Sequence, residues 1–218
     1  MKNFQVAIDG PAGSGKSSIS KLVSKKLKFN HLDTGAMYRA ITLEALNKKI
    51  DITNEDNFDF LKSIDISYND GKMFLNGVDV STEIRSDYVT NNVSMVSKHK
   101  VVRDAMADLQ RKIASVGCVI LDGRDIGYNV LPNADLKIFL TASIEERAKR
   151  RYLENKASNK EVDLEKLKKE IVERDYEDSN RIHSPLKKAD DAIVLDTTNI
   201  NMDDVCNIII NLINERMK

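Results

Sequence analysis

The segment Gly10-Pro11-Ala12-Gly13-Ser14-Gly15-Lys16-Ser17 constrains this chain more tightly than any other. An apolar run, Phe4 to Asp9, precedes it, and Ile19, Leu22, Val23 and Leu27 follow at helical spacing, so the segment joins a strand to a helix. In that setting G-x-x-x-x-G-K-S is a phosphate-binding loop, or P-loop. Gly13 and Gly15 allow the backbone to curl until successive N–H groups face one anion, and the positive end of the following helix favours the same charge. Lys16 is expected to reach the β- and γ-phosphates of ATP, and the Ser17 hydroxyl to bind Mg²⁺; Ser18 completes the expected ATP-binding set. A glycine-rich turn that merely capped a helix would not need all eight positions.

The rest of the chain alternates in the same way. Phe29 to Asp33 predicts a second strand, and Met37, Ala40, Ile41 and Ala45 trace a helix after it; Thr53 with Asp56 predicts a capped short helix through Leu61. From Ile64 to Ile84 the pattern changes to short alternating segments punctuated by Asp70-Gly71 and Asn76-Gly77, which predicts a three-stranded antiparallel insert. Val102, Met106, Leu109, Ile113 and Val116 predict a long amphipathic helix, and 118–122 and 136–140 read as buried strands. Ser143 with Glu146, and Asp163, cap two further helices; 192–196 is the fifth core strand, and Val205 to Ile213 is a closing helix. Five apolar strands alternating with helices predict one α/β domain, 1–218, with a parallel sheet covered on both faces.

Composition removes several function classes. Lys plus Arg equals Asp plus Glu at 34 each, so the molecule lacks the basic excess of a nucleic-acid binder, and no apolar run approaches the roughly 20 residues of a membrane span. Only Met1, Lys2 and Asn3 precede the first apolar run, which leads us to expect a cytoplasmic protein; a monomer is expected. Cys118 and Cys206 sit in apolar runs without metal-ligand spacing and read as buried small hydrophobes.

A P-loop alone does not separate a kinase from an NTPase or a switch. Three more clusters supply the distinction: Asp33-Thr34-Gly35-Ala36-Met37-Tyr38-Arg39, Asp122-Gly123-Arg124-Asp125-Ile126-Gly127, and an Arg-rich pair of helices from 143 to 181. The first two follow strands directly, where ligands of open α/β sheets collect. Arg39 and Arg124 are therefore candidates for gripping an acceptor's phosphate with the planar guanidinium fork. Arg174, Asp178 and Arg181 share one helical face, and Arg147, Arg150 and Arg151 one stripe of the preceding helix. Beside a P-loop such arginines suggest a lid that closes positive charge over the transferring group, rather than a solvated charged face. Asp33 and Asp122, at strand ends, either orient the water shell of Mg²⁺ or cap turns.

Taken in order, IDGPAGSGKSS, LDTGAMYRA, LDGRDIG and ERDYEDSNR resemble the bacterial cytidylate kinase family over essentially the whole chain, with Ser18 where Thr is frequent and Thr34 where Ser is also found. The resemblance implies a P-loop kinase fold with core strand order 2-3-1-4-5. It implies a monophosphate-binding region at 36–100 that includes the small insert, an Arg-rich lid at 145–183, and transfer from MgATP to CMP or dCMP. It places Ser94, Arg103 and Asp125 on cytosine, Arg39 and Arg124 on the acceptor phosphate, Arg174 and Asp178 on the ribose, and Arg150, Arg151 and Arg181 in the lid. Thr34 and Tyr38 fall in the same substrate-binding set. Cytosine's exocyclic amine suits a carboxylate acceptor such as Asp125, whereas uracil would leave buried polar groups unpaired at about 1–3 kcal/mol each. The rival readings are a small P-loop kinase for another monophosphate or for shikimate, and a nucleotide switch; no guanine-reading Asn-Lys-x-Asp segment supports the switch.

Overall fold

The computed structural model describes residues 3–69, 71–157 and 161–218. In chain order, β1 (Phe4–Asp9), α1 (Lys16–Leu27), β2 (Asn30–Asp33) and α2 (Thr34–Asn47) lead to a 3₁₀ segment (Glu55–Lys62) and the short strands β3 (Ile66–Asn69), β4 (Lys72–Leu75) and β5 (Val78–Asp79). Then follow α3 (Asp87–Ser97), α4 (Lys100–Ala114), β6 (Cys118–Gly123), a π-type turn (Ile126–Val130) and β7 (Leu136–Thr141). The chain continues with α5 (Ile144–Ala157), α6 (Leu164–Asn180), β8 (Ile193–Asp196) and α7 (Met202–Met217).

Among the described residues, five strands form a parallel sheet in the order β2-β6-β1-β7-β8. The labels differ from the expected 2-3-1-4-5 because the three insert strands take numbers in between; counted among the core strands alone, the sequence of neighbours is second, third, first, fourth, fifth. β1 is central, and all its residues but Gln5 are buried, as a strand covered on both faces requires. One apolar layer packs α2, α4 and the insert through Met37, Ile41, Met73 and Met106; the other packs α1 and α7 through Ile19, Val23, Ile209 and Ile213. Each such side chain taken fully from water contributes about 1.5–3 kcal/mol.

Register sets the site. Asp9 pairs with Gly123, and Asp33 with Asp122, so three strands end together on one rim and release their loops side by side. The insert turns at Asn76 (φ 49°) and Gly77 (φ 80°), the positive-φ pair that a two-residue hairpin demands. The other hairpin signal includes Asp70, which lies outside the described residues, as do 158–160 within the expected lid.

Several expectations need correction. Asn54, not Thr53, caps the 3₁₀ segment, accepting from the Asp56 N–H at 3.1 Å; Thr53 instead donates its hydroxyl to Asp51. α4 ends at Ala114, so Val116 is 72% exposed rather than part of its apolar face. Cys118 is only half-buried, at the first position of β6, whereas Cys206 is buried. The helix α3 was not anticipated, although Val89, Val93 and Val96 form its buried stripe at i, i+4 and i+7; Ser86 caps it by accepting from Val89 N–H.

Candidate active site

The phosphate loop leaves β1 at Gly10, where φ is +155° and a Cβ would lie 2.0 Å from the Leu140 carbonyl oxygen. Gly13 (φ +75°) and Gly15 (φ +86°) take the left-handed conformations that let the chain wrap back to the start of α1. Lys16 is buried and donates to the Pro11 carbonyl at 3.1 Å. Burial, reinforced by Arg124 and Arg174 and opposed by Asp122 and Asp178, pushes its ammonium down to about 7. Among the described residues no carboxylate pairs with it, so a bound polyphosphate would be its counter-ion.

Two carboxylates stand beside the loop. Asp122 accepts from the Ser17 hydroxyl at 2.5 Å through Oδ2, while its Oδ1 is 2.6 Å from His31 Nε2. Asp33 caps α2 by accepting from Ala36 N–H at 3.0 Å, and Arg85 lies 3.6 Å from its other oxygen. Burial, then the neighbouring Asp122 charge, raises the Asp33 carboxyl above the usual range. Ser17, Asp122 and Asp33 form an all-oxygen set with surplus negative charge, which fits Mg²⁺ chemically. Among the described residues no group of three or more His, Cys, Asp or Glu side chains is placed to hold a metal by itself.

Next to the loop a cleft of about 200 Å³ is lined by Lys16, Ser17, Thr34, Tyr38, Arg39, Arg103, Arg124, Asp125, Arg151, Arg174, Asp178 and Arg181. It opens into a wider space of about 560 Å³ between α3 and α6. A chain of alternating charge crosses its floor. Arg124 donates to Asp178 at 2.8 Å, Arg181 lies 3.5 Å from Asp178 and 3.9 Å from Asp125, and Arg103 lies 2.7 Å from Asp125. Arg103 also donates to the Ser97 carbonyl at 3.1 Å and stacks over the Tyr38 ring. Burial alone would raise Asp178, but Arg124, Arg174 and Arg181 overturn that and hold it below the usual carboxylate range.

Positive charge exceeds negative on the opposite wall. Arg39 donates to the Ile84 carbonyl and the Thr90 hydroxyl, and burial followed by the Arg151, Arg85 and Arg124 charges pushes it down to about 10. Arg174 is likewise pushed down to about 10 by burial and by Arg124, and its Nε is buried without a partner. Guanidinium groups crowded out of water beside one another are stabilised by an anion with several oxygens.

Most of the sequence-derived residues converge here, with exceptions. Arg150 lines neither space: it donates to the Thr197 carbonyl and hydroxyl, to Glu146, and at 3.4 Å to the Ser14 carbonyl. Arg147 is buried against the phosphate loop, donating to the Ala12 carbonyl and to Asp175 at 2.6 Å. Arg147, Arg150 and Arg151 therefore do not act as one stripe; Arg151 alone faces the cleft. Ser94 lies in the wider space, outside the inner cleft. Sequence reasoning missed Asp9, His31, Arg85 and Asp175. Asp175, adjacent to Arg174, accepts from the Ala12 N–H at 3.2 Å, and its place inside ERDYED was the available signal.

Comparison with known proteins bears on this arrangement. A family model described as cytidylate kinase matches residues 6–215. The chain is 51% identical over 213 residues to the cytidylate kinase of Acholeplasma laidlawii, covering 98% of this chain and 96% of that one. It is 50% identical to the cytidylate kinase of Alkaliphilus oremlandii, covering 98% and 99%. Among solved structures, a gluconokinase from Sinorhizobium meliloti superposes with a TM-score of 0.51 at 12% identity over 98% of this chain and 93% of its own, a likeness of fold alone.

Proposed function

Because this chain belongs to the cytidylate kinase family, we propose that its cleft brings CMP up to the terminal phosphate of ATP in the P-loop. The activity is ATP-dependent phosphorylation of CMP to CDP; we extend the acceptor to dCMP. The observation that carries the site assignment is the crowding of Arg39, Arg124, Arg151 and Arg174 around the small cleft that also holds Lys16 and Ser17.

In this reading the P-loop amides and Lys16 hold the β- and γ-phosphates. Ser17 would hold Mg²⁺ and the Asp122 and Asp33 carboxylates would hold its water shell; once bound, the ion would neutralise charge on the phosphates. Arg39 and Arg124 hold the CMP phosphate, whose oxygen is already anionic and attacks the γ-phosphorus directly. The bond to the ADP leaving oxygen breaks as the new P–O bond forms, and no side-chain base is needed. Arg103 and Asp125, with Ser94 above them, read cytosine; Arg174 and Asp178 hold the ribose; Thr34 and Tyr38 line the wall. Arg151 closes over the transferring group from the lid at 145–183, while Arg181, at the end of that region, holds Asp178 and Asp125 in place on the floor. Arg150, fastened to Thr197 and the loop carbonyl, supports the donor side instead.

Among the described residues no helix is long and apolar enough to cross a membrane; we place the enzyme in the cytoplasm. Purified protein given MgATP with CMP, dCMP, UMP, AMP or shikimate, and read by product mass, tests the proposal. CMP and dCMP should be preferred, and Lys16→Ala should abolish transfer without unfolding the protein. Turnover of UMP or AMP equal to that of CMP would refute the base-reading assignment.

A further inference from the structure

Asp9 belongs to none of the groups assigned above, yet it is the residue immediately before the phosphate loop and is almost completely buried, at 3% exposure. It forms no ion pair among those of the described residues. Its two oxygens are spent on backbone instead: Oδ1 accepts from the Ile126 N–H at 2.8 Å and Oδ2 from the Gly127 N–H at 2.7 Å. Those amides open the turn Ile126–Val130, which has no side-chain cap of its own from Asp125. Asp9 thus caps from another strand a turn 117 residues away. Glycine at 127 leaves room for this approach: a Cβ there would come within 3.3 Å of Asp9 Oδ2 and 3.4 Å of the Lys137 chain, so the carboxylate would have to give by a few tenths of an ångström.

The two residues preceding the clamped amides are Arg124 and Asp125, which in the proposed function hold the acceptor's phosphate and base. We propose that Asp9 is a positioning residue that fixes the acceptor-binding loop against the phosphate-binding loop, so that donor and acceptor are aimed at one another through a single buried carboxylate. This rests on the acceptor roles given to Arg124 and Asp125. A carboxylate does this well because both its oxygens accept; an amide or a protonated carboxyl presents a hydrogen to one of the two N–H groups and loses that bond.

Burial pushes the Asp9 carboxyl up to about 7; the two amides pull it down, Asp125 raises it, and Lys16 lowers it. The other groups facing it are Tyr128 on the clamped turn and Lys137 on β7, whose ammonium is directed away to Asp191 and the Pro132 carbonyl. Protonation below about 7 should release half of the clamp.

The test compares wild type with Asp9→Asn by acceptor kinetics and by binding of a non-hydrolysable ATP analogue between about pH 6 and pH 8. At the alkaline end, the KM for CMP should rise by about tenfold in the variant, the cost of one hydrogen bond to a charged group. The dissociation constant for the analogue should stay within about twofold. At the acid end the two enzymes should converge, because the wild-type carboxyl is then protonated. A KM ratio that is independent of pH, an unchanged KM at alkaline pH, or an equal loss of ATP affinity would overturn the proposal. Should Asp9→Asn not fold, Gly127→Ala, which displaces Oδ2 by a few tenths of an ångström, must raise the KM for CMP without weakening the analogue; unaltered kinetics would refute it. If wild type prefers another monophosphate in the acceptor panel, the functional reading fails separately, and the Asp9 comparison is made with that acceptor.

Discussion

Replacing Arg103 by methionine removes one half of a buried ion pair while keeping most of the side-chain volume. Arg103 and Asp125 are 3% and 4% exposed, and Nη2 lies 2.7 Å from Oδ2. Losing one partner of such a pair costs about 3–5 kcal/mol, chiefly because the other charge is left out of water. Here the carboxylate keeps the Asn129 Nδ2 donor at 2.8 Å and the Arg181 guanidinium at 3.9 Å, which places the expected loss near the lower bound, about 3 kcal/mol. In a chain of this size that lowers Tm by about 6–12 °C. Urea unfolding followed by two optical probes gives the free energy, and Asp125→Leu with the double variant closes a cycle. The double variant should recover most of the loss, since neither charge remains buried, while both it and Arg103→Met should use CMP poorly. A loss below about 1 kcal/mol for Arg103→Met, or no coupling in the cycle, would refute this reading of the pair.

Two further outcomes follow from the donor side. Lys16, pushed down from 10.5 to about 7, has lost its proton in the free fold at alkaline pH, where the unfolded chain still holds it; its contribution to stability therefore rises with pH across that window. Binding ATP should restore the proton, and calorimetry in buffers of different ionisation enthalpy should show uptake approaching one proton per site near pH 8, falling away on acidification; buffer-independent enthalpies would contradict it. Gly10→Ala would set a methyl 2.0 Å from the Leu140 carbonyl oxygen, so β1 or β7 must shift. We expect a loss of about 4 kcal/mol, visible as a lowered Tm, and an unchanged Tm would show that the loop is not seated on β7 as described.

The sheet and the P-loop were legible because each depends on local pattern: buried strands between turn signals, and glycines where φ must be positive. Arg39, Arg124, Arg174, Asp178 and Arg181 were legible because strand ends and helical spacing bring them to one rim regardless of detail. Arg150 reaches the phosphate loop at the Ser14 carbonyl, as its helical stripe suggested, but the Thr197 carbonyl and hydroxyl just beyond β8 also hold it, a tertiary contact that no helical spacing reveals. Asp9 was invisible because an acidic residue ending a strand ordinarily faces water; only the register of β1 with β6 brings the Ile126 and Gly127 amides onto it. His31, ending on Asp122, depended likewise on the pairing of β2 with β6.

The depressed Arg39 and Arg174 bear on what the cleft admits. These guanidinium groups already crowd one cleft, where each raises the cost of charging its neighbours. A nucleotide acceptor brings compensating negative charge with it, and a water molecule does not. An acceptor's phosphate entering this cleft is therefore welcomed by relief of that mutual repulsion, which a neutral molecule of similar size could not provide.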